Sequence, residues 1–131
     1  MAGAEIYSSD LMFVILSEFP DQKFPYDEDL MHAAFRELAD EYPQFFADRG
    51  ITFSSGETTP RSPEITTALG LMERWGYLYV LNHGSNEAFV NHSTESKDHA
   101  EKVLSYFQPE EREKILFFSG RIQQKLITDN S

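Results

Sequence analysis

The stretch that decides the predicted fold is residues 62–76, SPEITTALGLMERWG. Ser62 is a good helix N-cap, Pro63 suits the first helical position, and Gly76 is placed to end the helix. Between them, apolar residues recur at three- and four-residue spacing, which predicts a helix with one buried face. The residues of that face are Ile65, Ala68, Leu69, Met72 and Trp75.

A β-hairpin is predicted directly after this helix. Residues 77–81 and 87–91 are two strand-like runs rich in aromatic and β-branched side chains. The sequence between them, NHGSN at residues 82–86, contains Gly and Asn, which readily accept the turn conformations of a hairpin.

Two helices and a short strand are predicted before this stretch. Cap residues at 8–10 precede an apolar segment at 11–19, which favours a helix, although so short a run as 11–16 is also consistent with a buried strand. Such a helix is apolar on two faces, so it is either central or shared with a partner. Asp27 caps a second predicted helix with a clear apolar stripe and an acidic polar face. Residues 51–53 alternate in polarity, which predicts a short strand.

Two further helices are predicted after the hairpin. Ser93 or Thr94 opens the first of them, and Pro109 opens the second. Along the whole chain, four large apolar residues fall off the buried stripes of their helices, so a monomer would leave them uncovered. These residues, Phe13, Val14, Leu116 and Phe117, form the predicted partner interface.

The order helix, helix, short strand, helix and hairpin over residues 8–92 resembles that of a winged-helix domain. In this resemblance the helix at 63–75 takes the place of the recognition helix, and residues 82–86 form the tip of the wing. Many winged-helix proteins dimerise through added C-terminal helices, which residues 93–127 resemble. The predicted fold class is α+β, mostly helical and winged-helix-like with two additional C-terminal helices, in a single domain over residues 1–131.

Size and composition exclude several classes of protein. The chain has 131 residues, no cysteine and a formal net charge of −11. The missing cysteines exclude a disulfide scaffold and thiol chemistry. The longest uninterrupted apolar run has six residues, whereas about 20 are needed to cross a bilayer. No basic residue precedes Lys23, so no targeting signal is predicted, and the expected localisation is cytoplasmic without membrane contact.

The charge is unevenly distributed, since residues 1–60 hold 12 acidic and 3 basic residues, while residues 61–131 hold 10 and 8. Any nucleic-acid contact would therefore come from the second half. The bases available for it are Arg61, Arg74, Lys97 and Lys102. The candidate recognition helix carries two glutamates against one arginine, which argues against a DNA duplex on that face.

No motif selects a catalytic, cofactor or metal site. The four histidines show neither His-x-x-x-His nor Glu-x-x-His spacing, and the chain has no phosphate-binding loop and no Gly-x-Ser-x-Gly turn. We therefore expect a protein that is not an enzyme and holds no cofactor and no metal. The Thr-Pro and Ser-Pro pairs of the polar loop at 54–63 fit a modification site or a plain connection equally well.

The expected function is that of a non-catalytic, acidic protein-interaction domain, acting as a homodimer or as a subunit of a larger assembly. Its acidic first half suits a basic partner surface. The predicted acidic contact face consists of Asp27, Glu28, Asp29, Glu37, Asp40 and Glu41. The alternatives are a winged-helix DNA-binding transcriptional regulator and an acidic, DNA-like inhibitor of a basic protein.

Overall fold

The structure is a computed structural model that describes residues 8–20, 22–54, 61–81 and 87–129. Six helices and three strands lie in these ranges, which confirms a mostly helical α+β fold. The helices are α1 (Ser8–Ser17), α2 (Glu28–Glu41), α3 (Pro43–Ala47), α4 (Pro63–Arg74), α5 (Thr94–Leu104) and α6 (Pro109–Asp129). The strands are β1 (Phe24–Pro25), β2 (Leu78–Leu81) and β3 (Glu87–Val90). None of the described helices is long and apolar enough to span a membrane.

Three helices begin at the predicted capping residues. At the start of α2, the Asp27 carboxylate accepts a hydrogen bond from the backbone N–H of Asp29 at 2.8 Å. At the start of α4, Ser62 Oγ accepts from the backbone N–H of Ile65 at 3.3 Å. Ser93 caps α5 in the same way. Each cap satisfies a backbone donor that the helix itself cannot, and such caps contribute about 1 kcal/mol each.

Helix α1 lies at the centre of the core, and residues 11–16 are helical rather than a strand. All six of these residues are at most 2% exposed, because α4, α5 and α6 pack around them. Of the two predicted possibilities, a central helix or one shared with a partner, the structure has the central one, so Phe13 and Val14 are not available to a partner interface. The Phe13 ring lies 4.9 Å from the Tyr77 ring and 4.8 Å from the His99 ring, and Val14 is fully buried. A helix that is apolar on all sides is a buried helix.

The three strands form one small antiparallel sheet in the order β1-β3-β2. The predicted hairpin is present, with Tyr79 opposite Phe89, and the central strand also pairs with β1, where Phe24 lies opposite Ala88. Gly76 has a φ of +78°, a left-handed conformation that ends α4 and starts the turn into β2. The predicted wing tip at residues 82–86 lies outside the described residues.

The short strand predicted at residues 51–53 is wrong, because the third strand is β1. The segment is instead fastened to the start of α4. The Glu64 carboxylate accepts from the backbone N–H of Thr52 at 2.8 Å and from its hydroxyl at 2.9 Å. With β1 as the third strand, the helix-rich chain and its small sheet are compatible with a winged-helix-like arrangement.

An aromatic cluster joins α6 to the end of α2 and to α3. Phe118 is fully buried at its centre. Its ring centroid lies 5.2 Å from that of Tyr42, 5.1 Å from that of Phe45 and 5.3 Å from that of Phe46. Aromatic rings at these separations and tilts add to the stabilisation from burial alone.

Replacing the centre of this cluster should strongly destabilise the protein. Phe118→Ala is expected to lower the free energy of unfolding by about 3–5 kcal/mol, because the fixed rings around it cannot close the cavity. Tyr106→Ala, at an aromatic residue that is 46% exposed, is the control and should change it by about 0.5 kcal/mol or less. Urea denaturation of both variants measures the difference, and equal losses would contradict the described packing.

Candidate interaction surfaces

Exposed hydrophobic side chains mark one helix surface. Six large hydrophobic residues are about half exposed in the described part of the chain: Trp75, Tyr79, Tyr106, Leu116, Phe117 and Ile127. The first three carry a polar atom that water can satisfy. The other three carry none, and all three lie on α6. Together with Gly120, which lies between them on the helix, they are called the α6 face below.

Gly120 is one of two exposed glycines inside the described helices at which no neighbouring atom of the described residues requires a glycine, the other being Gly70 of α4. It lies in the middle of α6, and a Cβ built on it would meet no atom within 4 Å. In a helix interior glycine is less favourable than alanine by about 0.8–1.0 kcal/mol. Because glycine has no side chain, it leaves room for another backbone to approach closely.

Only two of the four predicted interface residues are exposed. Leu116 and Phe117 are 55% and 47% exposed, whereas Phe13 and Val14 are buried, so the four do not share one surface. Gly120 and Ile127 were not among the residues predicted for this surface. Two signals were available: Ile127 follows Leu116 by eleven residues, about three helical turns, and Gly120 interrupts an otherwise helix-favouring segment.

The predicted acidic contact face is engaged within the chain at the start of α2. Asp27 caps the helix. Glu28 accepts from Arg61 at 2.9 Å, and Asp29 forms a second ion pair with the same guanidinium. These three carboxylates therefore already have partners.

The acidic residues at the end of α2 are paired too, mostly with α6. Lys125 Nζ lies 2.7 Å from Glu37, and Arg121 lies 2.6 Å from Glu41. The hydrogen bond from Arg121 holds the pKa of Glu41 below its ordinary value. The sixth acid, Asp40, pairs with Arg36 one turn earlier in the same helix at 3.1 Å. All six predicted contact residues thus have partners inside the chain, and those of Glu37 and Glu41 join α2 to α6.

The four bases predicted for DNA contact lie on separate parts of the fold. Arg61 is held by Glu28 and Asp29 before α4, and Arg74 lies in the last turn of α4. Lys97 and Lys102 are on α5, which packs against α1. No continuous basic strip is present along α4 in the described residues, so the feature that phosphate contacts require is missing there.

A buried histidine, which was not among the predicted functional residues, joins α2 to α4. His32 is fully buried, and its Nδ1 accepts from the backbone N–H of Ser62 at 3.1 Å. The ring proton of the neutral histidine therefore sits on Nε2, which lies 3.2 Å from Thr66 Oγ1. The carboxylate of Glu28 is 3.8 Å from the same nitrogen.

Burial lowers the pKa of His32, and the positive charge of Arg61 lowers it further, while Glu28 and Asp29 act in the opposite direction. The surroundings favour the neutral ring, because a protonated Nδ1 could no longer accept the hydrogen bond from the backbone N–H of Ser62. With no exposed atom, the ring is not placed to act on a substrate. We assign it a structural role.

Comparison of the chain with protein-family models, with curated proteins and with solved structures found no match. Within the described residues no group of three His, Asp or Glu side chains is placed to hold a metal ion.

Lowering the pH should destabilise the protein through protonation of His32, at pH values above those at which the Asp and Glu side chains are protonated. The pKa is lower in the folded chain than the ordinary value of 6.5, so the unfolded state binds the additional proton. The stabilisation is complete above pH 6.5 and is lost as the pH falls from there towards the folded pKa, with a slope of at most about 1.4 kcal/mol per pH unit.

The comparison is urea denaturation between pH 8 and pH 5 for the wild type and for His32→Gln. The variant is expected to be less stable at pH 8 but to show a flatter pH dependence. Thr67→Gln, at an exposed residue of α4 without a titratable group, is the control and should retain the wild-type slope. A slope in His32→Gln as steep as in the wild type would contradict the assignment.

Proposed function

We propose that the protein is a non-catalytic interaction domain that works as a homodimer, with the α6 face as the contact between the two copies. The observation that carries this proposal is the exposure of Leu116, Phe117 and Ile127, which have no polar atom, around a glycine whose side-chain space is empty. Exposed apolar surface of this kind is typical of protein contacts.

The charge of α6 favours a second copy as the occupant. The whole chain has a net charge of −11, so most of its surface repels another copy. Helix α6 holds four acidic and four basic residues, and its formal net charge is zero. It is therefore a surface on which two acidic chains approach each other with little repulsion.

The spacing of the α6 face suits a two-fold arrangement. Leu116 and Ile127 lie on the same side of the helix, about 16 Å apart along its axis. In an antiparallel pair, Leu116 of each copy lies beside Ile127 of the other, and Gly120 lies near the crossing point. A two-fold contact is self-complementary in this way, because the pair of Leu116 and Ile127 occurs twice, once with Leu116 from each copy.

The winged-helix-like order supports the same proposal. A helix, a short strand, two further helices and a hairpin come first, with the one-turn helix α3 between α2 and α4. Helices α5 and α6 follow, in the place where winged-helix proteins with added C-terminal helices dimerise. The acidic residues of α2 are bound to bases of the same chain, so a basic partner surface has less support than a second copy.

The test is the solution mass at micromolar concentration. The wild type is expected at twice its chain mass of 15.1 kDa in light scattering or sedimentation. Leu116→Asp combined with Ile127→Asp should give a folded monomer, because each copy would bury unpaired charges in the contact. Tyr79→Asp, at an exposed residue of the sheet, is the control and should leave the dimer intact. A wild-type monomer at about 100 µM would overturn the proposal.

Gly120 gives a sharper comparison, because Gly70 of α4 is also an exposed helical glycine with no atom within 4 Å of a built Cβ. Gly120→Trp should fold but dissociate the dimer, since the indole occupies the space that the second helix needs. Gly70→Trp should fold and remain dimeric. Circular dichroism checks folding and light scattering checks mass. Dimers of equal stability in both variants would place the contact elsewhere.

A further inference from the structure

A cavity of about 220 Å³ opens between the second half of α1, the end of β3 and α5. Apolar side chains contribute to its wall: Phe13, Val90, Ala100 and Leu104. A cavity of about 150 Å³ lined by such residues is enough to hold a benzene ring. One ring or a short aliphatic chain, with a few further atoms, therefore fits in this cavity. None of its lining residues belongs to α6.

Three charged side chains, Glu18, Lys97 and Glu101, also line this cavity. Within the described residues none of the three forms an ion pair. This differs from α2, whose surface carboxylates have cationic partners. Two free carboxylates against one ammonium group leave the cavity net negative, in a chain that is itself strongly acidic.

The lining residue His92 carries a buried polar atom that does not face the open space of the cavity. Its Nε2 is buried and has no hydrogen-bond partner among the described residues. Three other polar side chains of the wall already donate hydrogen bonds to backbone carbonyls. Ser17 donates to Val14 at 2.7 Å, Ser96 to Asn91 at 2.8 Å and the Asn91 amide to Gly76 at 3.1 Å.

We propose that this cavity binds a small amine, with its apolar ring or chain against Phe13 and Ala100 and its ammonium group beside Glu18 and Glu101. An ammonium group carries only donors, which matches two carboxylates without cationic partners. The apolar part is taken out of water by the wall, as in most small-molecule sites. This site is independent of the α6 face and of the oligomeric state.

The probes are 2-phenylethylamine and 3-phenylpropionate, which have similar shapes and opposite charges. Binding is followed by the chemical shifts of the backbone amides of Ala100 and Leu104 in the full chain. The amine is expected to bind with a dissociation constant on the order of 1 mM and the carboxylate about fivefold more weakly. No binding of the amine up to about 20 mM would overturn the proposal, and so would equal affinities or shifts confined to another part of the fold.

A charge-reversal pair tests the assigned residues. Glu18→Lys combined with Glu101→Lys should reverse the preference, so that the carboxylate binds more tightly than the amine. Glu95→Lys combined with Asp98→Lys changes the net charge equally at two exposed residues of α5 that do not line the cavity. This control should keep the preference for the amine. A reversal in the control as large as in the cavity variant would mean that net charge alone selects the probe, and it would overturn the site.

Discussion

The whole fold depends on the burial of α1 from every side. Residues 11–16 are at most 2% exposed, and full burial of each large apolar side chain contributes about 1.5–3 kcal/mol. Helices α4, α5 and α6 all pack against α1. The two C-terminal helices are therefore part of the single core, and a chain ending after β3 would expose α1 to water.

Local signals made most helices predictable, while tertiary packing decided what was missed. Asp27, Ser62 and Ser93 satisfy backbone donors within a few residues, so their effect can be read from the sequence. Strand β1 has only two residues, one of them Pro25, and exists because β3 offers it an edge. Periodicity places Phe13 and Leu116 off their stripes alike, yet other helices cover only Phe13, and no local pattern reports how many sides of a helix are covered.

The net charge of a segment does not show how much of that charge is neutralised by ion pairs with the rest of the chain. The acidic residues of α2 suggest a face for a basic partner when they are read alone, because their cations lie far along the chain. Arg121 and Lys125 of α6 reach Glu41 and Glu37, and Arg61 reaches the first turn. Exposed ion pairs of this kind contribute little stability each, and their larger effect is to reduce the charge that a partner would meet.

The burial of Ser62 limits which covalent changes the chain can accept. Its hydroxyl caps α4 and contacts Glu64 at 3.2 Å, its backbone N–H is held by His32, and no part of the residue is exposed. A phosphate group on this oxygen would add negative charge beside a carboxylate and remove the cap. A kinase would reach Ser62 only after the first turn of α4 had opened, so the folded state shields this Ser-Pro pair from phosphorylation.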